Sequence, residues 1–339
     1  TEWVVQSESW ASTSSFLESL SCLRSSMASL TLRTALGGAG CLAGAAGAIW
    51  ASGGGQPLWA KQRWPQAGAV PLDGQRQPLI QQDPRSGITA VLATLNYQSG
   101  SVASSLLRNG CVGTRRGPDG GDSTLFGVDW APTAVTIGNA RHLPQPPTLD
   151  TEGFELRPHD PGAIDFHDEQ QIVHRYYREA CALVRQATGA AQVVAFDHNV
   201  RCASAQAAGT KLKGGNAVQG PAHLVHTDYT VTSAPKRVMD LASPAKLNDT
   251  WKPLVPEGQP LISAANAQHV REGGRFAIVN VWRNIRAREV QQFPLAVCRA
   301  DTVHPEDVMV FEIHYADRVG ENYFAKHTPA HAWWYYPKM

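Results

Sequence analysis

The sequence has no C-x-x-C pair. Its six cysteines, at positions 22, 41, 111, 181, 202 and 298, stand far apart. That excludes a Cys-based zinc ribbon and a thioredoxin-type motif, and scattered thiols fit a large reduced domain better than a disulfide scaffold. Charge is scarce too: 17% of the 339 residues are charged and the formal net charge is +1. Nothing in that balance points to a nucleic-acid or polyanion partner. There is no internal repeat and no Gly-rich phosphate loop; "KGGN", Lys213 to Asn216, is too short to be one. Nor is there a stable membrane span. The stretch Ala35 to Gly55 is apolar, but it is built of Ala and Gly and is weakly hydrophobic.

What is present begins with Thr1, followed by a Ser-rich run to about residue 30. Arg24 and Arg33 precede the Ala/Gly stretch, and acids are few there. Two readings stay open. One is a disordered low-complexity leader; the other is a targeting segment, which would make the location cytoplasmic or, with a transit segment, organellar. Under either, residues 1–80 stand outside the fold. Residues 81–339 are expected to form one domain, long enough to bury a sizeable core.

Within that domain "SGITAVLATLNYQ" reads as a strand, "RNGCVGTRRGPDGGDS" as a loop and "TAVTIGNAR" as another strand. The clearest helix is "DEQQIVHRYYREACALVRQATG". Asp168 is placed to cap it and Gly189 to end it, and Ile172, Val173, Tyr176, Tyr177, Ala180, Leu183 and Val184 share one face. "AQVVAFDH" follows as a strand. Further strands are expected in "AHLVHTDYTV", "RFAIVNVWRN", "PLAVC", "DVMVFEIHY", "NYFAKH" and "AWWYY", with helices over "APKRVMDLAS" and "ISAANAQHVRE". One helix-rich stretch followed by many short strands predicts an α+β fold with a β-sandwich or jelly-roll core.

The chemistry centres on "PAHLVHTDYTVTSAPKR". A His-x-carboxylate pair on a strand points both side chains to one face, and two His plus one carboxylate is the donor set of mononuclear non-haem iron sites. With 12 His and 29 acids in 339 residues, about one such pair is expected by chance. This chain has three, so context must separate them. His167/Glu169 opens a helix, where an acid serves the helix dipole. His304/Glu306 encloses Pro305 in a polar turn. Only His226/Asp228 continues an apolar strand, and it is followed by Tyr229, Thr230 and Val231. The competing reading is a strand end whose His and Asp bond locally. His223, three residues earlier, falls on the opposite strand face.

Several blocks together, "FDHNVR", "HLVHTDYT", "FAIVNVWRNI", "FPLAVCRADTVHPEDVM" and "HAWWYYPKM", resemble a family of fungal and bacterial hydroxylase/desaturases. That family includes gibberellin desaturase-like proteins and proteins similar to the small subunit of cephalosporin methoxylase. Upstream, "TLNYQ", "GFELRPH", "DFHDE" and "TGAAQVVAFDH" match in the same order, so the resemblance runs from about Ile88 to Met339. It implies a double-stranded β-helix (jelly-roll) core with flanking helices. It also implies Fe(II) as cofactor, 2-oxoglutarate as co-substrate, and hydroxylation or desaturation of a small organic, secondary-metabolite-like substrate.

By position, the resemblance makes His226 and Asp228 the metal ligands. In the resembled family the chain continues past the "HxWYYxPxM" block, and a Pro-His segment supplies the distal His, followed by an Arg for 2-oxoglutarate. This sequence stops at Met339, so the expectation is a truncated domain whose third ligand is not in the chain. His314, His327 and His331 are the downstream candidates to replace it. Arg283, at the end of "VNVWR", is the candidate co-substrate clamp, against a rim ion pair. His198, Arg201 and Arg237 are the candidate substrate-binding residues. The aromatic run 333–336 is read as packing. The alternative function is an inactive jelly-roll binding protein lacking the distal ligand.

Overall fold

The computed structural model describes residues 89–116, 122–290, 293–316 and 318–339, together with strands at 2–10, 35–36, 42–50 and 80–82. The strands 2–10, 35–36 and 42–50 fall within the expected leader and pair into the sheets instead of standing outside them; the rest of that leader lies outside the described residues.

The helix reads out as its pattern predicts. The Asp168 side chain accepts from the backbone N–H of Gln170 and Gln171, and the helix runs from Glu169 to Thr188. Gly189, at φ 67°, ends it by donating its N–H to Arg185 O. The stretch Ile172–Tyr176 is a π-turn inside this helix, a local widening that hydrophobic spacing does not signal. Its apolar face packs with Val279 and Val281 of the strand Phe276–Asn284 and with Phe196 of Gln192–Arg201, in the largest core cluster. The two shorter helices form at Ser233–Leu241 and Ala264–Arg271.

Two sheets carry the rest. The first has the order Gln192–Arg201, Leu42–Trp50, Phe276–Asn284, Glu2–Trp10, Phe154–Pro158, and is antiparallel throughout. The second has eleven strands, with Val319–Ala325 between His226–Thr227 and Val308–His314. Two of its pairings are parallel: Trp333–Tyr335 with Trp130–Asn139, and Val308–His314 with Gly113–Arg116. The sheets pack on each other. Phe154, Leu156 and Trp282 of the first meet Leu295, Val297, Trp334 and Tyr336 from the second and its flanks. The architecture is α+β.

The expected strands over "RFAIVNVWRN", "DVMVFEIHY" and "SGITAVLATLNYQ" form at Phe276–Asn284, Val308–His314 and Thr89–Gln98. Two segments differ from expectation. "AHLVHTDYTV" is a strand only over His226–Thr227, because side-chain hydrogen bonds take residues 228–232 into a loop that leads to the helix at Ser233. "RNGCVGTRRG", expected as loop, contains the strand Gly113–Arg116, which pairs antiparallel with Asp122–Phe126 and parallel with Val308–His314. Gly113 is needed there: a Cβ would meet the Phe126 ring and the Glu312 carbonyl.

Candidate metal centre

His226 registers directly opposite Phe324 on the adjacent strand, and Thr227 opposite Tyr323. Strand alternation therefore sends the two side chains of this short strand to opposite faces. Thr227 is 2% exposed and turns into the sheet's other core, while His226 shares its face with Phe324 and Met309. That is the face turned toward the first sheet. On the facing strand, Asn280 and Trp282 are two apart and point the same way, and Asn280 Nδ2 donates to Asp228 Oδ2 at 2.7 Å. The His226/Asp228 pair thus sits between the two sheets.

The two donors converge. His226 Nε2 lies 3.4 Å from Asp228 Oδ1. The other ring nitrogen, Nδ1, faces the Leu224 carbonyl at 3.0 Å. A carbonyl can only accept, so Nδ1 carries a proton toward it, and Nε2 is the ring nitrogen turned toward Asp228. Partial desolvation pulls the Asp228 carboxyl, whose side chain is still 45% exposed, upward. Hydrogen bonds from His226 and Asn280, with the charge of Arg201, outweigh that and hold it below its usual range. A carboxylate beside an imidazole nitrogen is a donor set that suits a divalent transition metal, which would take the place of the proton between them. It supplies two of the three protein donors of a facial site. Among the described residues no group of three or more His, Cys, Asp and Glu is arranged to hold a metal ion.

The other histidines are placed elsewhere. His314 Nε2 bonds Glu312 Oε2 at 2.8 Å. His331 stacks on Tyr97, with Nδ1 3.2 Å from the Tyr97 hydroxyl, and His327 meets the same ring edge-on. His223 packs against the ring of Phe293. His304 caps the 3-10 turn Pro305–Asp307, as its polar context suggests.

Arg201 donates to Gly220 O at 2.8 Å and stands near enough to act on Asp228. Arg237 pairs with Asp249 at 2.9 Å and lies over the Phe196 ring. His198 is 6% exposed, with Nδ1 2.8 Å from the Tyr177 hydroxyl. Tyr177 continues to Thr250 and Thr250 to Asp197, a buried polar chain. Burial pushes the His198 imidazole down to about 4. Arg283 is 5% exposed and lies over Phe166; alternation puts it on the strand face opposite to Asn280.

Two features escape sequence reasoning. Asn280 is 52 residues from the carboxylate it holds, and only the packing of the sheets reveals it. An aromatic wall beside His226 is equally tertiary. Phe311 and Phe324 stack at 3.9 Å between centroids, and Trp130, 39% exposed, lies 5.8 Å from Phe324.

The family model described as "Oxidoreductase/YMDC permease-like domain" matches residues 114–339. An uncharacterized protein of Methylophilus leisingeri is 39% identical over 200 residues, covering 58% of this chain and 92% of its own. An alpha-ketoglutarate-dependent dioxygenase of a fungal species is 28% identical, over 56% of this chain and 61% of its own length. A hydroxylase/desaturase of Hormonema carpetanum is 26% identical, over 74% and 79%. This chain thus spans about three fifths of the dioxygenase it matches. The iron and alpha-ketoglutarate-dependent endoperoxidase NvfI shares the fold, with a TM-score of 0.51 at 18% identity over 74% of this chain and 80% of its own. No helix among the described residues is long and apolar enough to cross a membrane. With the family model matched from residue 114 to residue 339, the chain belongs to this oxidoreductase family and is a relative of fungal hydroxylase/desaturases and alpha-ketoglutarate-dependent dioxygenases.

Proposed function

We propose that this chain is a jelly-roll oxygenase that uses Fe(II), dioxygen and 2-oxoglutarate to hydroxylate or desaturate a small organic substrate of the secondary-metabolite kind. The carrying observation is the convergence of His226 Nε2 and Asp228 Oδ1 at 3.4 Å between two packed sheets. The relatives' names and the fold shared with the endoperoxidase support the same reading. His226 and Asp228 would hold the iron, which when bound supplies the oxidising chemistry that no amino-acid side chain provides. The protein's own work is geometric. The Leu224 carbonyl engages His226 Nδ1 and so leaves Nε2 as the nitrogen that would meet the metal, and Asn280 fixes the rotation of the Asp228 carboxylate. Trp130, Phe324 and Phe311 offer an apolar wall beside the pair that excludes water and suits an apolar substrate surface. Arg201, the cation that acts on Asp228, is assigned to the substrate side of the site.

The test is Fe(II)-dependent succinate formation from 2-oxoglutarate by the purified chain, with His226→Ala alongside. Turnover that persists unchanged in His226→Ala overturns the ligand assignment. A second reading, a binding protein on the same scaffold, is favoured by one observation: the described residues offer two metal donors, not three. Metal analysis after anaerobic loading with Fe(II) separates the two, since the binding protein retains no stoichiometric iron.

A further inference from the structure

The loop that carries Asp228 leans on one short piece of a neighbouring strand. Glu321, 7% exposed, sits in Val319–Ala325. Its Oε1 accepts from Arg108 Nε at 2.9 Å and Nη2 at 2.6 Å, and its Oε2 accepts from the Thr230 hydroxyl at 2.9 Å. Thr230 is fully buried, two residues beyond Asp228. Its hydroxyl oxygen also accepts from the backbone N–H of Thr232 at 3.2 Å and of Ser233 at 3.0 Å. The one proton and two lone pairs of that hydroxyl are therefore all used. Ser233 Oγ takes the Thr230 N–H and donates to the Glu321 carbonyl at 2.9 Å. With its amide turned to donate, Asn322 reaches the Asp228 carbonyl at 2.8 Å, and the Tyr323 hydroxyl accepts from Val231 N at 3.3 Å.

Directly opposite Glu321 stands a second buried carboxylate, Glu312. It accepts from Gly110 N and from His314, both at 2.8 Å, and none of these contacts touches the loop. The two acids share burial, strand pairing and proximity to Arg108, which lies 3.9 Å from Glu312. Only Glu321 binds the loop. A buried ionised acceptor makes a stronger and more directional bond to a hydroxyl than a neutral one does.

We propose that Glu321, charge-balanced by Arg108, is a positioning residue that fixes the 228–232 loop through Thr230 and so aims Asp228 at the metal. The inference rests on the iron reading for its consequence, and on the hydrogen bonds alone for its cause. Glu321→Gln keeps the volume, but leaves one carbonyl oxygen to serve both Arg108 and Thr230. One of those bonds must then be lost.

The experiment has two readouts on the full chain: amide hydrogen exchange of the segment 226–233, and anaerobic Fe(II) titration. Glu321→Gln and Thr230→Val are expected to speed exchange at Thr232 and Ser233 and to weaken Fe(II) binding by about tenfold. Thr230→Ser, which restores the hydroxyl, and Glu312→Gln, which removes an equally buried charge away from the loop, are expected to leave both readouts near wild type. Unchanged exchange in Glu321→Gln, or an equal change in Glu312→Gln, overturns the proposal. If exchange responds as expected but His226→Ala binds Fe(II) as tightly as wild type, the loop clamp stands and the iron reading fails.

Discussion

Asn280 and Asp228 join the two sheets through one hydrogen bond of 2.7 Å, from an amide nitrogen to a carboxylate oxygen. The bond leaves the other oxygen, Oδ1, as the one facing His226 Nε2. A carboxylate held at one oxygen has one rotation to present, so Asn280 selects which lone pairs a metal meets. Asn280→Ala is expected to weaken Fe(II) binding by about tenfold to a hundredfold, the usual effect of losing a partner behind a metal ligand. Anaerobic titration measures it. Equal affinity in the variant shows that Asp228 is oriented by something else.

How much of this was legible in sequence depends on whether the signal is local. The helix Glu169–Thr188 carries its cap, its stripe and its terminal glycine in twenty-two consecutive residues, 168–189, and it forms where they place it. The strands Phe276–Asn284 and Val308–His314 announce themselves by β-branched and aromatic runs. Gly113–Arg116 does not: it sits in a Gly-rich polar run, and besides its antiparallel neighbour Asp122–Phe126 it is held by the parallel strand Val308–His314, about two hundred residues away in the chain. The His226/Asp228 pair is visible as spacing, but the strand context holds only for His226–Thr227, and Asp228 reaches the imidazole from the loop that follows. Asn280, which orients it, and Arg108 with Glu321, 213 residues apart, were not, since each partnership exists only after the sheets assemble. The same limit applies to Arg237: its place in sequence suggested a pocket mouth, and its salt bridge to Asp249 appears only in three dimensions.

That salt bridge carries a prediction. Arg237 and Asp249 have side chains 13% and 3% exposed, and Asp249 has the Lys246 backbone N–H as its further hydrogen-bond donor. Arg237→Ala leaves a nearly buried carboxylate without its cation, and also removes the guanidinium from the Phe196 ring. The expected loss is about 3–5 kcal/mol of stability, read by urea denaturation. A loss below about 1 kcal/mol, with a raised KM for the substrate, would return Arg237 to a binding role.

His198 gives the fold an acid-side weakness. Burial lowers its pKa from 6.5 to about 4 in the folded chain. A depressed histidine is neutral in both states above about pH 6.5, where its contribution is unperturbed. As pH falls through that value the unfolded chain takes a proton and the folded chain does not, so stability declines until about pH 4. The span corresponds to about 3 kcal/mol at most. Burial pushes the neighbouring Asp197 carboxyl upward, which works in the opposite direction as pH falls. The wild-type curve alone therefore mixes the two. His198→Gln keeps an acceptor for Tyr177, and its difference from wild type isolates the imidazole. The expected result is a smaller fall in denaturation midpoint between pH 6.5 and 4.5 for the variant. Parallel curves would mean that His198 is already accessible to protons in the folded state.

Tyr97 tests whether the aromatic run near the end of the chain is structural. Its hydroxyl, in a residue with no exposed surface, accepts from the Trp333 indole N–H at 2.7 Å and lies 3.2 Å from His331 Nδ1. Both partners are buried as well. Tyr97→Phe keeps the ring, and with it the stacking on His331, but strands an indole donor and an imidazole nitrogen in an apolar cluster. Each stranded group costs about 1–3 kcal/mol, so a total near 2–4 kcal/mol is expected in chemical denaturation. Fe(II) affinity at His226 and Asp228 should not move, because the Tyr97 cluster lies on the sheet face opposite to His226: Thr227 and Tyr323 face it, and His226 and Phe324 face away. A variant that keeps its stability and loses metal would reverse that assignment and place His331 in the metal centre's service.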